Sequence, residues 1–429
     1  MNMLEFLKDI TDIAPFVGSP PFYGVRFNPL KLSRQRFEEL SPVKITPCGF
    51  YSCGYRSEGE APGTHPLHMA GGYYIQEPSA MSAIAALQAQ PNDVILDMCA
   101  APGSKSTAIA AHCGVLVANE INPKRVMSLI GNTERMGLSN TLITNSDSAI
   151  VAKAFEGYFD KVLVDSPCSG EGMFRKHPEI LQSWTPELVE MCARRSRTIL
   201  SNAARTLKQG GRLIYSTCTY NLEENEMVIL DFLDNNPDFE LTDTGLNIGE
   251  KGFLGLDRAR RIFIKNGGEG HFVCALKRRD PPRCKALVKG FDLTDRDDFL
   301  YDVVTNKLKF YKNHSFGIIE HEGTKYAVHD GLPKPSGVRI MRAGVKLGSF
   351  VSKTFKPDHH LFMTALPSVL QTFDTDMDTA KKFLRGEPLS ANAQLKGYTA
   401  VTFEGLTLGF GKASGGIIKN HLPHGLRLV

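Results

Sequence analysis

The sequence predicts an α/β protein built on a parallel sheet with helices on both faces, flanked by smaller α+β pieces. Three observations carry that expectation. From about residue 77 short apolar runs alternate with helical stretches, and parallel strands need crossover helices of this kind. The turns that leave those runs are made of small residues, as in Ala100-Ala101-Pro102-Gly103. A content of 42% hydrophobic and 22% charged residues over 429 positions supplies enough apolar surface for sizeable cores.

The elements follow in order. Asp93–Asp97 reads as a strand, followed by a Gly/Pro turn and a helix from Ser104 to His112. Val115–Asn119 is the second strand and Asn122–Arg135 the next helix, with strands at Thr141–Thr144 and Lys161–Asp165 after it. A long helix from Pro186 to Leu207 is expected to end at Gly210-Gly211, where glycine adopts the left-handed cap. Strand Arg212–Thr217, helix Leu222–Leu233 and strand His271–Leu276 close the unit. Ahead of it, Phe22–Phe27 reads as a strand among turn formers such as Ser19-Pro20-Pro21 and Glu60-Ala61-Pro62-Gly63. Asp280-Pro281-Pro282-Arg283 marks a boundary, and the remainder divides near 345–360. The expected organisation is therefore 1–75, 76–280, 281–355 and 356–429.

No run of 18 apolar residues is present, which argues against a membrane span. The opening MNMLEFLKDI places two acids and no basic stretch around its apolar residues, unlike a signal peptide. Nine cysteines, an odd number scattered over a long chain, predict reduced thiols and a cytoplasmic setting. Net charge is only +4. Its placement is more informative: residues 281–429 hold 21 basic and 14 acidic side chains, against 22 and 25 in 76–280. A basic C-terminal third predicts an anionic partner there, with a lysine-rich solvated surface as the competing reading.

The sharpest local signal is Asp97-Met98-Cys99-Ala100-Ala101-Pro102-Gly103-Ser104-Lys105, a strand end, a tight small-residue turn and a helix start. Such a turn lets a cofactor approach backbone N–H groups. A P-loop would need an upstream glycine and an adjacent Gly-Lys, and a dinucleotide fingerprint would need three glycines. Neither is present, so the cofactor expected is one without a pyrophosphate. Glu120, ending the second strand, is placed to accept ribose hydroxyls, and Asp147, after the third, to reach an adenine amino group. S-adenosyl-L-methionine fits this set; a packed turn with an incidental acid is the alternative. A Rossmann dehydrogenase shares the acid but lacks the glycines.

Asp165-Ser166-Pro167-Cys168 ends the fourth strand and Ser216-Thr217-Cys218-Thr219 a later one, so both thiols fall on the cofactor rim. Cysteine is most often a small buried hydrophobe, which suits Cys99, Cys113, Cys192, Cys274 and Cys284. Cys168 and Cys218 sit where sheet ligands bind, and that reading is weaker for them.

With these segments in sequence, the chain resembles the RNA cytosine-5 methyltransferases of the NOL1/NOP2/Sun family, particularly the bacterial enzymes acting on small-subunit rRNA. The motifs are D-M-C-A-A-P-G-S-K, N-E, D-S-P-C-S-G-E-G and S-T-C-T-Y-N-L-E-E-N-E, with His65–Ser79 upstream and Gly268–Phe272 downstream. The Gly411–His421 segment is similar to the family's PUA-like end. The resemblance covers nearly the whole chain. It implies a Rossmann-like S-adenosylmethionine methyltransferase sheet, an N-terminal α+β RNA-binding region, and C-terminal α+β and PUA-like modules.

The implied chemistry is covalent. Cytosine C5 is a poor nucleophile until a thiolate adds at C6, which makes C5 enamine-like. By resemblance Cys218 is the nucleophile, Cys168 assists elimination and release, and Asp165 contacts the cytosine near the methionine moiety. Cys99, Ala100, Ala101, Pro102, Gly103, Ser104, Lys105, Glu120, Asp147 and Asp165 would bind S-adenosyl-L-methionine. In DNA cytosine-5 methyltransferases the Pro-Cys thiol attacks, which would transfer the role to Cys168; both motifs together favour Cys218. Ser104 stands where the family often has glycine, an exchange tolerable at a helix N-cap. The expected substrate is 16S rRNA, naked or in the small subunit, with tRNA as an alternative. A non-catalytic RNA-binding assembly factor on the same scaffold is the non-enzymatic alternative. A monomer without a membrane partner is expected.

Other candidates were weaker. Cys48, Cys53, His65 and His68 approach a zinc-finger spacing, but the histidines are one residue too close, so no metal is expected. Lys412, Lys419, Asn420 and His421 are candidate phosphate contacts, as are Lys381, Lys382 and Arg385. Trp184, the sole tryptophan, is expected only to pack.

Overall fold

The computed structural model describes residues 2–279, 288–292, 316–352, 354–364 and 371–428. The boundary at Asp280–Arg283 and Cys284 lie outside the described residues. A ten-stranded mixed sheet forms the centre. Across it run Glu250–Lys251, Arg260–Ile262, His271–Arg278, Leu207–Thr217, Phe159–Asp165, Val94–Asp97, Val115–Asn119, Thr141–Thr144 and Ile340–Ala343. Phe239–Thr242 pairs alongside His271–Arg278. The five strands from Leu207–Thr217 to Thr141–Thr144 are parallel, and those beyond them antiparallel.

Alternation along each strand sends side chains to opposite faces, and two cores result. Leu96, Val117, Val162 and Leu213 face the helices Ser148–Ala154, Pro186–Thr206 and Glu226–Asn235. Ile95, Leu116, Leu163 and Ile214 face Ser82–Leu87, Ser104–Ala110 and Pro123–Met136. Burial on both faces explains why these strands read as unbroken apolar runs. Helix Pro123–Met136 starts where the Asn122 side chain accepts from Lys124 N and Arg125 N, and ends at left-handed Gly137.

Three local expectations change. The long helix ends at Thr206, and Leu207 is already extended and leads straight into its strand. Gly210 does take a positive φ of 68°, but inside the strand segment rather than as a helix cap. Helix Glu226–Asn235 starts four residues later than expected, because Asn221–Asn225 forms a hydrogen-bonded turn. Helix Ser148–Ala154, capped by Asp147, was not anticipated.

The first strand of the chain, Tyr23–Phe27, lies in a four-stranded sheet with Ile45–Pro47, Gly54–Ser57 and Tyr73–Ile75. Its core is shared with the far end of the chain: Phe37, Leu67 and Tyr73 join Phe383, Val401, Leu408 and Ile418 in one apolar cluster. The C-terminal sheet contains Thr372–Thr375, Gly397–Phe403, Leu406–Ser414, Ile417–Asn420 and Leu389–Ser390. Ahead of it in the chain, a four-stranded sheet is opened by Phe316–His321 and closed by Thr354–Pro357, with its own small core. Among the described residues, no helix is long and apolar enough to cross a membrane.

Candidate active site

The cofactor rim is formed where Val94–Asp97 and Val115–Asn119 end. Gly103 takes φ 107° and is the N-cap, so Ser104 is the first helical residue rather than the cap. The positive φ calls for glycine, and a Cβ there would also meet Leu129 Cδ1 at a tight 3.1 Å. The Asp97 carboxylate is buried; Oδ2 accepts from Ser106 Oγ at 2.6 Å, while Oδ1 has no partner. Burial lifts its pKa to about 7, with Asp165 adding to the effect. Glu120 is buried, accepts from Asn122 N at 2.8 Å, and lies 3.6 Å from Arg125. Asp147 is exposed and caps its helix through Ala149 N. The sequence reasoning did not single out Asp97, although it opens the cofactor motif.

Cys168 and Cys218 meet on the same rim, Sγ to Sγ 3.3 Å, both reduced and half-buried. The Cys168 thiol is held well above its usual pKa by its hydrogen bond to Cys218 and by burial, so its proton stays on. Asp165 lies beside them, accepting from Lys105 Nζ at 2.6 Å and Ser216 Oγ at 2.8 Å. Burial opposes the Lys105 ammonium, but Asp165 and then Cys218 outweigh it and raise its pKa.

Two buried carboxylates fix the loops that carry the thiols. Glu171, three residues after Cys168, accepts from Tyr220 N at 2.8 Å, Asn221 N at 2.9 Å and Trp184 Nε1 at 3.0 Å. It also takes the Thr219 hydroxyl and the Asn221 amide. Glu224 returns the connection, accepting from Ser169 N at 2.9 Å, Ser169 Oγ and Asn221 Nδ2 at 2.7 Å. A third acid, Glu226, pairs with fully buried Arg261, whose Nη1 donates to Tyr220 O. Trp184 therefore does more than pack. Glu171 and Glu224 were missed because their partners lie about 50 residues away; the visible signal was acids inside buried, polar motif stretches.

The N-terminal sheet touches this rim. Buried Arg26 donates to Ser104 O at 3.0 Å and Thr107 Oγ1 at 2.8 Å. The zinc-like residues serve separate contacts: His65 caps a short helix, His68 Nδ1 lies 2.7 Å from Gly63 O, and Cys53 faces His112. No group of three metal-ligating side chains occurs among the described residues. At the C-terminus Lys412 and Lys419 are exposed and paired across adjacent strands. Asn420 is not free for phosphate, since its amide donates to Phe383 O and Glu387 O. Lys381, Lys382 and Arg385 are exposed on and just after helix Met377–Leu384.

Sheet order, small-residue turn and rim acids define a Rossmann-like methyltransferase fold. Known families agree: "16S rRNA methyltransferase RsmB/F" matches residues 84–277, "N-terminal domain of 16S rRNA methyltransferase RsmF" 2–78, and "Methyltransferase RsmF PUA domain" 370–428. The chain belongs to the RsmB/F family of 16S rRNA methyltransferases. It is 31% identical to the ribosomal RNA small subunit methyltransferase F of Aliivibrio fischeri (strain MJ11), over 94% of this chain and 90% of that protein. The protein of the same name from Escherichia coli (strain SE11) is 32% identical, with the same coverage. Among solved structures, a methyltransferase homolog from Pyrococcus horikoshii aligns at TM-score 0.55 and 28% identity, over 62% of this chain and 89% of its own. NSun6 from Pyrococcus horikoshii shares the fold, with TM-score 0.59 at 20% identity over 65% and 98%.

Proposed function

We propose that this protein methylates C5 of cytosine in small-subunit (16S) rRNA, using S-adenosyl-L-methionine and a covalent cysteine adduct. The observation that carries the reading is the Cys168–Cys218 pair, 3.3 Å apart beside Asp165 and Lys105 on the rim of a methyltransferase sheet. The rim fits the cofactor. Asp97 offers an unpartnered buried carboxylate oxygen, and Glu120 a buried carboxylate at the second strand end. Cys99–Lys105 supplies a turn where side chains are small; Asp147 and Asp165 complete the set. When bound, S-adenosyl-L-methionine supplies an electrophilic methyl group.

The chain's own groups do the rest. Cys218 adds to C6 of the cytosine, on the same rim as the Lys105–Asp165 ion pair. Asp165, held by Lys105 and Ser216, is positioned to hydrogen-bond the base. Cys168 keeps its proton beside Cys218 and assists elimination and release. The base must leave its stack to reach these thiols, which favours a single-stranded or loop cytosine.

The relatives' names support rRNA as substrate, and a cytoplasmic setting goes with that reading. Residues 1–75 and 356–429 are read as RNA-contacting regions around the 76–280 catalytic unit, with 281–355 as a first C-terminal module. A monomer is sufficient for this arrangement. Bisulfite mapping of RNA from cells with and without the protein tests the reading. Loss of 5-methylcytosine from 16S rRNA is expected; unchanged rRNA with a changed tRNA transfers the activity to tRNA, and no change in either overturns it.

A further inference from the structure

The rim thiols are also a pair set to close on each other. Their separation of 3.3 Å exceeds a disulfide bond by only about 1.2 Å. They leave neighbouring parallel strands in which Asp165 pairs with Ser216 and Ser166 N donates to Ser216 O at 2.9 Å. Adjacent strands run about 4.8 Å apart, inside the roughly 4.4–6.8 Å Cα range that disulfides span. Glu171 and Glu224 hold both loops in place, so closure needs little reordering. Both thiols are half-buried, as are Cys48 and Cys99, whereas Cys53, Cys113, Cys192 and Cys274 are buried; what sets the pair apart is its contact. Among the described residues, theirs is the one thiol–thiol hydrogen bond.

We propose that Cys168 and Cys218 form an oxidation site, where a peroxide joins them in an intramolecular disulfide and so removes the nucleophile. The effect on methyl transfer rests on the proposed function; the disulfide itself does not. The Cys218 sulfur attacks a peroxide oxygen, an S–O bond forms, the O–O bond breaks, and the departing hydroxide leaves as water once protonated. The Cys168 sulfur then attacks the Cys218 sulfenic acid. The S–S bond forms as the S–O bond breaks, and the leaving hydroxide takes the Cys168 proton as a second water. Peroxide gains two electrons and the thiols lose two. A dithiol reductant reverses the product by exchange. The order follows from Cys168, whose hydrogen bond to Cys218 and burial hold its proton on, so Cys218 reacts first.

The test treats the reduced full-length protein with hydrogen peroxide, alkylates it under denaturing conditions, and reads intact and peptide masses. The expected result is two fewer alkylated thiols, a dithiothreitol-sensitive link between the Cys168 and Cys218 peptides, and methyl transfer lost, then regained on reduction. In Cys168→Ser, dimedone should capture a sulfenic acid on Cys218 with no link. A wild-type protein whose Cys218 goes to sulfenic or sulfinic acid without a link, or whose link joins other cysteines, overturns the proposal. A link in protein that never methylated RNA before treatment keeps the oxidation site and removes the methyltransferase reading. Intact methylation in fully linked protein does the opposite to the claim about activity.

Discussion

The cofactor side and the thiol side of the rim handle their buried charges in opposite ways. On the cofactor side, Asp97 keeps an oxygen with no partner, and Glu120 has one backbone donor and the Arg125 guanidinium at 3.6 Å. On the thiol side, each oxygen of Glu171 accepts at least two hydrogen bonds, and Glu224 accepts two at Oε1 and one at Oε2. A buried polar atom without a partner costs about 1–3 kcal/mol. At a strand end on the cofactor rim such an atom is open to a ligand's donor, whereas the fully paired carboxylates hold the loops in place. Substitutions on the two sides should therefore separate binding from turnover.

The largest effect belongs to the thiols. Cys218→Ala should abolish both methyl transfer and covalent adducts, while Cys168→Ala should accumulate protein on RNA. The reverse pattern on a denaturing gel would exchange their roles. Next comes Glu171→Gln, which replaces one accepting oxygen by a donor facing N–H groups. It should lower kcat while leaving S-adenosyl-L-methionine affinity unchanged by calorimetry; weaker cofactor binding would break the division between the two sides.

Asp97 tests the other side. Its folded pKa of about 7 lies above its ordinary 3.8, so the folded state binds more protons than the unfolded. Stability of the free protein should then fall as pH rises from about 4 to about 7, and Glu224, raised from 4.5 to about 7, adds to the slope. Asp97→Asn should flatten that slope in thermal melts and weaken cofactor binding, with the loss greatest above pH 7, where the carboxylate is ionised. The smallest effect is expected from Trp184→Phe, which removes one hydrogen bond to Glu171 and about 1 kcal/mol of stability. A denaturant titration measures it.

The sequence shows the cofactor side more clearly than the thiol side for a physical reason. Asp97 to Lys105 and Glu120 act through a local turn and through strand ends, which apolar runs and small residues mark directly. Glu171 gains its role only when a loop 50 residues further on folds against it. Trp184, 13 residues from Glu171, is hidden for another reason: nothing local marks its indole N–H as a donor to that acid. The Ser148–Ala154 helix escaped notice because it is short and its cap, Asp147, looked like a ligand residue. The Gly210-Gly211 pair suggested a helix stop, yet the helix ends without glycine because Leu207 is pulled straight into the sheet core. Asn420 looked like a phosphate contact because a motif does not show which backbone carbonyls lie beneath it.

The strand Ile340–Ala343 also decides where the chain can be cut. It pairs antiparallel with Thr141–Thr144 and completes that border of the central sheet. A protein truncated just after strand His271–Arg278, and so lacking Ile340–Ala343, would leave Thr141–Thr144 with a row of bare N–H and C=O groups, a template for strand addition by another copy. Such a fragment keeps every rim residue discussed above and should still self-associate. A fragment that self-associates would show that residues 340–343 shield this sheet border, separately from any grip on RNA.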